Sequence, residues 1–174
     1  MGLLGKKYCQ VMAEYNRWMN GKIYEVCAGV SDEERKKDKK AFFKSIHGTL
    51  NHLLWADRAW MSRFTGKTYK LTKLGEILYD NFDILRLERE KTDADIIKWA
   101  SCLNEEWLQG AISYESITYK KAMTMPASLA VAHMFNHQTH HRGQITTLLA
   151  QEGLDYGVTD LPVMPGVKEL GGMG

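Results

Sequence analysis

The sequence predicts an all-α protein built as a four-helix bundle, with a short hairpin or extended loop before the last helix. Four long stretches repeat apolar residues at spacings of three and four. Only 3 prolines occur in 174 residues, a composition that favours helix over sheet. One shorter stretch alternates with a period near two instead. Since chains of this length usually form one domain, we expect a single domain over residues 1–174.

The first predicted helix covers residues 3–28, where apolar side chains recur at helical spacing. Gly29 follows the last of them and is expected to end the helix. Ser31 and Glu34 then have the spacing of a capping box, which predicts a short helix or turn at this point.

The second predicted helix covers residues 42–64 and ends at Gly66. Its apolar face begins with Phe42 and Phe43. The segment 67–75 is interpreted as a loop.

Residues 76–108 are predicted to be helical for most of their length, with an apolar face that begins at Ile77. The middle of this stretch, residues 88–95, is strongly polar, so the helix is expected either to protrude there or to break.

The segment 111–125 has the alternation that predicts a hairpin or extended loop, with Ile117 among its apolar positions. Pro126 suits the first turn of the last helix. That helix should run to about Gln151, because Gly153 lies just beyond it.

Charge and hydropathy exclude several classes of protein. The formal net charge is +2 and the isoelectric point about 8.3, too weakly basic to indicate nucleic-acid binding. No signal peptide and no apolar run of 18 residues is present, so we expect a cytoplasmic protein without a membrane partner. The three cysteines, Cys9, Cys27 and Cys102, form no Cys-x-x-Cys pair and are predicted to be buried, reduced thiols.

Histidines are the most informative residues of the chain, and four of the six lie within residues 133–141. Positions four apart in a helix differ by about 40° around the axis and about 6 Å along it. His133, His137 and His141 therefore form one stripe, with His140 at its edge. Two imidazoles at this spacing can bind one metal ion. Such a pair can also be exposed to solvent, or be buried with hydrogen-bond partners in the core.

A third ligand must come from another helix, and His47 and His52 are the candidates. They are five residues apart, about 140° around the helix, so only one should face inward. Thr49 and Ala56 lie on the face of His52 and leave room for a metal ion, which favours His52. His47 is expected to be exposed.

Three segments resemble the DinB family: Tyr15–Asn20, Gly48–Arg58 and Asn136–Gln144, with Asp160–Pro162 similar to the usual ending of its members. The resemblance implies a four-helix bundle, commonly a homodimer, with a three-histidine metal site. It assigns the ligands to His52, His137 and His141. Characterised members include transferases and isomerases that use bacillithiol, mycothiol or glutathione, and many members have no assigned reaction.

Three neutral imidazoles suit zinc, nickel, iron or copper and leave at least one ligand position open. Such a position can activate water or a low-molecular-weight thiol, so we expect a metal-dependent transferase or hydrolase acting on a small molecule. The alternatives are a non-enzymatic metal-binding or stress-response dimer, and a structural dimer that binds no metal. No glutamate adjoins the histidines to act as a catalytic acid or base.

Other residues near the predicted ligands have candidate roles. Each metal-bound imidazole needs a partner for its second nitrogen, and the candidates are Gln144, Asp57 and Asn136. Arg142 is interpreted either as an anion-binding residue or as part of a surface ion pair. Gly143 either permits close approach of another helix or is simply tolerated.

Overall fold

The structure is a computed structural model that describes residues 5–116 and 119–171. Residues 3 and 4 of the predicted first helix, and Ile117, lie outside these ranges. Within them the chain is helical except for one hairpin, in the order α1 Lys6–Ala28, α2 Asp32–Lys36, α3 Ile46–Thr65, α4 Phe82–Cys102, α5 Glu105–Gln109, β1 Ala111–Ser116, β2 Lys121–Pro126, α6 Ala127–Gln151, a 3-10 turn Leu161–Val163 and α7 Val167–Gly171.

The four long helices α1, α3, α4 and α6 form a bundle, which confirms the predicted fold class. Helices α1 and α3 each pack against both α4 and α6. The predicted hairpin is also present: β1 and β2 pair antiparallel, from Ala111 opposite Pro126 to Ser116 opposite Lys121. Pro126 is the N-cap of α6, one residue before the position predicted for it.

Helix α3 begins four residues later than predicted. Ser45 is its N-cap, and the Ser45 hydroxyl oxygen accepts a hydrogen bond from the Gly48 backbone N–H at 3.0 Å. Phe42 and Phe43 therefore belong to a turn before the helix, and Phe42 is 86% exposed rather than part of an apolar helical face. The turn passes so close to α3 that a Cβ atom on Gly48 would lie 2.1 Å from the carbonyl oxygen of Phe43.

The third predicted helical stretch contains α4 and a separate short helix, α5. Asn81 caps α4 by accepting a hydrogen bond from the Ile84 backbone N–H at 3.0 Å, and Ile77 lies outside the helix, 45% exposed. At the other end Leu103 leaves the helical conformation, with ψ at 133°, and Asn104 caps α5. Residues 76–108 are thus helical for most of their length, as predicted, and the two asparagine caps set where α4 and α5 begin.

The polar middle of α4 neither protrudes nor breaks, because Arg89, Thr92 and Asp93 face the interior while Glu90 and Lys91 face solvent. Two apolar clusters fill the ends of the bundle, one around Leu50, Leu54 and Ile145 and the other around Met61 and Phe135. Between them lies a polar layer that we define by its buried residues, which come from all four long helices: Asn16, Asn20, Asp57, Arg89, Asp93, Gln138 and Arg142.

Hydrogen bonds connect the polar layer across the bundle. Asp57 of α3 lies 2.6 Å from an Arg89 guanidinium nitrogen of α4 and accepts a hydrogen bond from the Gln138 amide of α6 at 3.0 Å. Arg89 also lies 2.9 Å from Asp93, which accepts a hydrogen bond from the Asn16 amide of α1 at 2.9 Å. The two carboxylates and the two guanidinium groups of the layer therefore balance in formal charge.

Burial keeps two thiols of the interior protonated. It raises the pKa of the Cys9 thiol to about 11 and that of Cys27 to about 12, so both stay protonated at neutral pH. Cys102 is exposed, so the prediction that all three cysteines are buried was wrong for it. Among the described residues, no helix combines the length and the apolar character needed to cross a membrane.

Candidate metal centre

Three histidine side chains meet between α3 and α6, one turn from the polar layer. His52 comes from α3, and His137 and His141 come from successive turns of α6. One ring nitrogen of each lies within 4.8 Å of those of the other two. The Nε2 atoms of His52 and His137 are 3.1 Å apart. The structure thus brings together the three residues predicted as ligands, while their role as ligands stays a prediction.

The protonation and spacing of these rings fit a divalent metal ion. Two nitrogens bound to one tetrahedral zinc ion at 2.0–2.1 Å are about 3.4 Å apart, close to the distance between His52 and His137. Burial, together with the neighbouring histidines, lowers the pKa of His137 to about 3 and that of His52 to about 4. Burial also lowers the pKa of His141. The rings are therefore neutral at neutral pH, with lone pairs available for a metal ion.

Gln144 orients one of the three rings. The Nδ1–H of His141 donates to the Gln144 side-chain oxygen at 2.7 Å, which leaves the Nε2 lone pair of His141 facing the other rings. Of the three predicted partners, only Gln144 fills this role. Asp57 belongs to the polar layer, Asn136 is exposed, and the Nδ1 atoms of the other two rings have no hydrogen-bond partner among the described residues.

Phe43 covers the site from the turn before α3. Its ring stacks on the His52 ring, with centroids 3.8 Å apart and planes inclined by 16°. The same ring meets His141 edge-on at 5.5 Å. Sequence reasoning assigned Phe43 to a helical face and missed this role. The signal was present in Ser45 and Gly48, which indicate a capped helix start after Phe43.

The remaining histidines lie around the site without joining it. His47 was predicted to be exposed, but it is 1% exposed and lies 3.0 Å from the carbonyl oxygen of Tyr79. The prediction failed because the loop after α3 folds back over the helix start. His133 is one turn from His137 and meets the Trp60 ring edge-on at 5.1 Å. His140 is exposed and contacts the Gln144 amide at 3.2 Å.

Two neighbours of the α6 histidines also differ from expectation. Arg142 is neither on the surface nor free to bind an anion: it is 3% exposed and donates a hydrogen bond to the Asn16 side-chain oxygen. Burial lowers its pKa to about 10, so it stays charged at neutral pH. Gly143 has open space where a Cβ atom would lie, so it is tolerated and does not permit a close helix approach.

A cavity of about 480 Å³ opens beside the histidines, between α3, α6 and the hairpin. We call it the hairpin cavity and define it by His52, Trp60 and Arg63 of α3, His133 and His137 of α6, and Tyr114 of β1. Trp60 is 8% exposed, and its ring forms part of the cavity wall. The cavity gives a small molecule a path to two of the three rings.

A helical bundle with three neutral imidazoles gathered between two long helices belongs to a class of folds suited to binding a divalent metal ion. The model of the DinB family matches residues 4–169. The chain therefore belongs to the DinB family, which confirms the resemblance seen in the sequence.

Individual relatives agree with this assignment. The chain is 27% identical over 159 residues to the protein DinB of Bacillus subtilis strain 168, a match that covers 84% of this chain and 87% of that protein. It also resembles the crystal structure of a DinB-like protein from Bacillus cereus, with a TM-score of 0.59 over 81% of this chain and 90% of that one. The sequence identity to the second protein is 17%, so that likeness supports the fold alone.

Proposed function

We propose that this protein binds one divalent metal ion through His52, His137 and His141 and is a metal-dependent enzyme of the transferase or hydrolase type. The observation that carries the proposal is the convergence of three neutral imidazoles within 4.8 Å beside a cavity that a small molecule can enter. Zinc, nickel and iron suit this ligand set equally well.

A divalent ion on three imidazoles keeps a ligand position open and lowers the pKa of a water or low-molecular-weight thiol there, which supplies a nucleophile at neutral pH. The chain's own residues prepare the site for this chemistry. Gln144 fixes the tautomer of His141, and the Phe43 ring shields His52 from water on one side. The hairpin cavity leaves the other side accessible to a substrate.

Metal content tests the first half of the proposal. Untagged protein, purified and analysed for metals, should contain close to one ion per chain. His52→Ala and His137→Ala should each lose it. His47→Gln is the control, because it changes another buried histidine of α3 and keeps a nitrogen donor toward the Tyr79 carbonyl oxygen. No metal in the parent, even after incubation with zinc or nickel, or equal loss in all three variants, would contradict the ligand assignment.

Activity tests the second half. The metal-loaded protein is mixed with glutathione or bacillithiol and the electrophile 1-chloro-2,4-dinitrobenzene, in which the thiol sulfur bonds to the ring carbon while chloride and a proton are released. A rate above that of the metal-free protein supports the transferase reading. A metal-loaded protein inactive with every thiol, and toward ester substrates, would favour the non-enzymatic metal-binding alternative. Light scattering of the purified chain would test the homodimer that we also expect.

A further inference from the structure

Arg63 occupies an unusual position at the far end of the hairpin cavity. Its guanidinium carbon lies 4.3 Å from the ring centroid of Trp60 and 4.3 Å from that of Tyr114, so the group contacts both rings where they meet edge to face. No aspartate or glutamate lines the cavity, and Arg63 has no ion pair among the residues that the structure describes. The Arg63 guanidinium is therefore a half-buried cation without an anionic partner among these residues.

The same cavity connects Arg63 to the histidines. Residues 52 and 63 are eleven positions apart on α3, which places them within about 20° of each other around the helix. The Arg63 side chain points back along α3 and contacts Trp60, so its charge lies at the height of Trp60 on the helix axis. Trp60 is eight residues after His52. At 1.5 Å per residue the guanidinium is about 12 Å from the level of His52 along the helix axis.

The chemistry of the cavity selects one kind of ligand. A guanidinium presents a planar pair of N–H donors that matches a carboxylate, and an unpaired charge in an apolar setting attracts an opposite one. One cation against two aromatic rings suits a singly charged carboxylate better than a doubly charged phosphate.

We propose that the hairpin cavity binds an elongated, partly apolar molecule whose carboxylate pairs with Arg63 while its other end reaches His52 and His137. The part of the proposal that makes this molecule the substrate rests on the proposed metal-dependent function. The carboxylate site itself depends only on Arg63 and its aromatic neighbours. It makes Arg63 a specificity-determining residue for whatever reacts at the histidines.

The test uses ω-mercaptooctanoate, whose thiol and carboxylate are spaced to reach both ends, and its neutral analogue ω-mercaptooctanamide. Binding to the cobalt-loaded protein is followed by the thiolate-to-cobalt absorption band, and binding to the metal-free protein by calorimetry. The acid should bind at least about tenfold more tightly than the amide, the range of a charge-assisted hydrogen bond. Arg63→Gln should remove that advantage and leave the affinity for the amide unchanged.

Arg17→Gln is the matched control, because Arg17 is a surface arginine paired with Glu14, remote from the cavity. Equal binding of acid and amide to the parent, or equal weakening of both by Arg63→Gln, would overturn the carboxylate site. The two proposals fail separately. A cobalt absorption band that forms with both probes and is unchanged by Arg63→Gln would support the metal site and contradict the carboxylate site. A preference for the acid that depends on Arg63, in a protein that binds no cobalt, would support the carboxylate site and contradict the metal site.

Discussion

Gly48→Ala should disturb the cover of the candidate metal centre, and Gly143→Ala is its matched control. Both glycines lie inside long helices that carry the three histidines. A Cβ atom on Gly48 would lie 2.1 Å from the Phe43 carbonyl oxygen, whereas one on Gly143 would meet nothing within 4 Å. Alanine at position 48 must therefore push the turn that holds the Phe43 ring on His52.

The size of the effect follows from two terms. Replacing glycine by alanine stabilises a helix by about 1 kcal/mol at an interior position such as Gly143, and by no more than that at Gly48, the third residue of α3. Overpacking against a fixed neighbour costs about 1–3 kcal/mol, and this cost applies only at position 48. Gly48→Ala should therefore have a free energy of unfolding at least about 1–3 kcal/mol below that of Gly143→Ala.

Urea denaturation of the two variants and the parent measures this difference directly. Gly143→Ala should be as stable as the parent or more so, and Gly48→Ala should also bind metal more weakly, since Phe43 no longer covers His52. A Gly48→Ala protein as stable as Gly143→Ala would refute the close approach of the turn to α3. It would also remove the physical reason for placing Phe43 over the site.

Two further perturbations address the hydrogen bonds around the site and the charges of the polar layer. Gln144→Leu should weaken metal affinity about 10–100-fold, measured by competition with a chelator, because the His141 Nδ1–H loses its hydrogen-bond acceptor. Gln144→Glu is the control, because it keeps an acceptor oxygen for His141. Equal metal affinities in the two variants would contradict the role of Gln144. Burial raises the pKa of Asp93 to about 6, above the 3.8 expected in the unfolded chain, so the folded state keeps a proton that the unfolded state releases. The contribution of Asp93 to the free energy of unfolding should therefore fall by about 3 kcal/mol as the pH rises from about 4 to about 7. Across this pH range, the free energy of unfolding of Asp93→Asn should rise relative to that of the parent. A difference between the two proteins that does not change with pH would contradict the raised pKa of Asp93.

The sequence predicted the features that depend on periodic spacing. Apolar residues three and four apart placed the four long helices, and the same rule put His137 and His141 on one face of α6. The small neighbours Thr49 and Ala56 favoured His52 over His47 as the inward residue of α3. The structure places His52 with the other two rings.

The missed features depend on contacts between distant segments. Spacing along α4 could not tell whether its polar middle faces water or three other helices, because Arg89 and Asp93 are residues typical of a surface. Arg63 is likewise an ordinary residue in the last turn of a helix until the hairpin brings Tyr114 against it. Helix ends were misplaced where the capping residues Ser45 and Asn81 were overlooked.

The polar layer has a consequence for how the bundle is aligned along its axis. Apolar contacts have no directional partners, so the two apolar clusters oppose a displacement of α6 by one turn, about 5.4 Å, only through the fit of their shapes. Such a displacement of α6 would separate Gln138 from Asp57 and Arg142 from Asn16. Each of these hydrogen bonds joins a buried charged group to an amide and contributes about 1.5–3 kcal/mol, so the layer favours one axial position of α6.

That position decides which histidines face His52. The stripe on α6 repeats at every turn, and a displacement of one turn would offer His133 and His137 where His137 and His141 now lie. Two equivalent pairs of imidazoles would then compete for the same place, with Gln144 beside only one of them. The polar layer therefore fixes the axial position of α6 and so determines which two histidines of the stripe face His52. The spacing of the stripe alone would allow either pair.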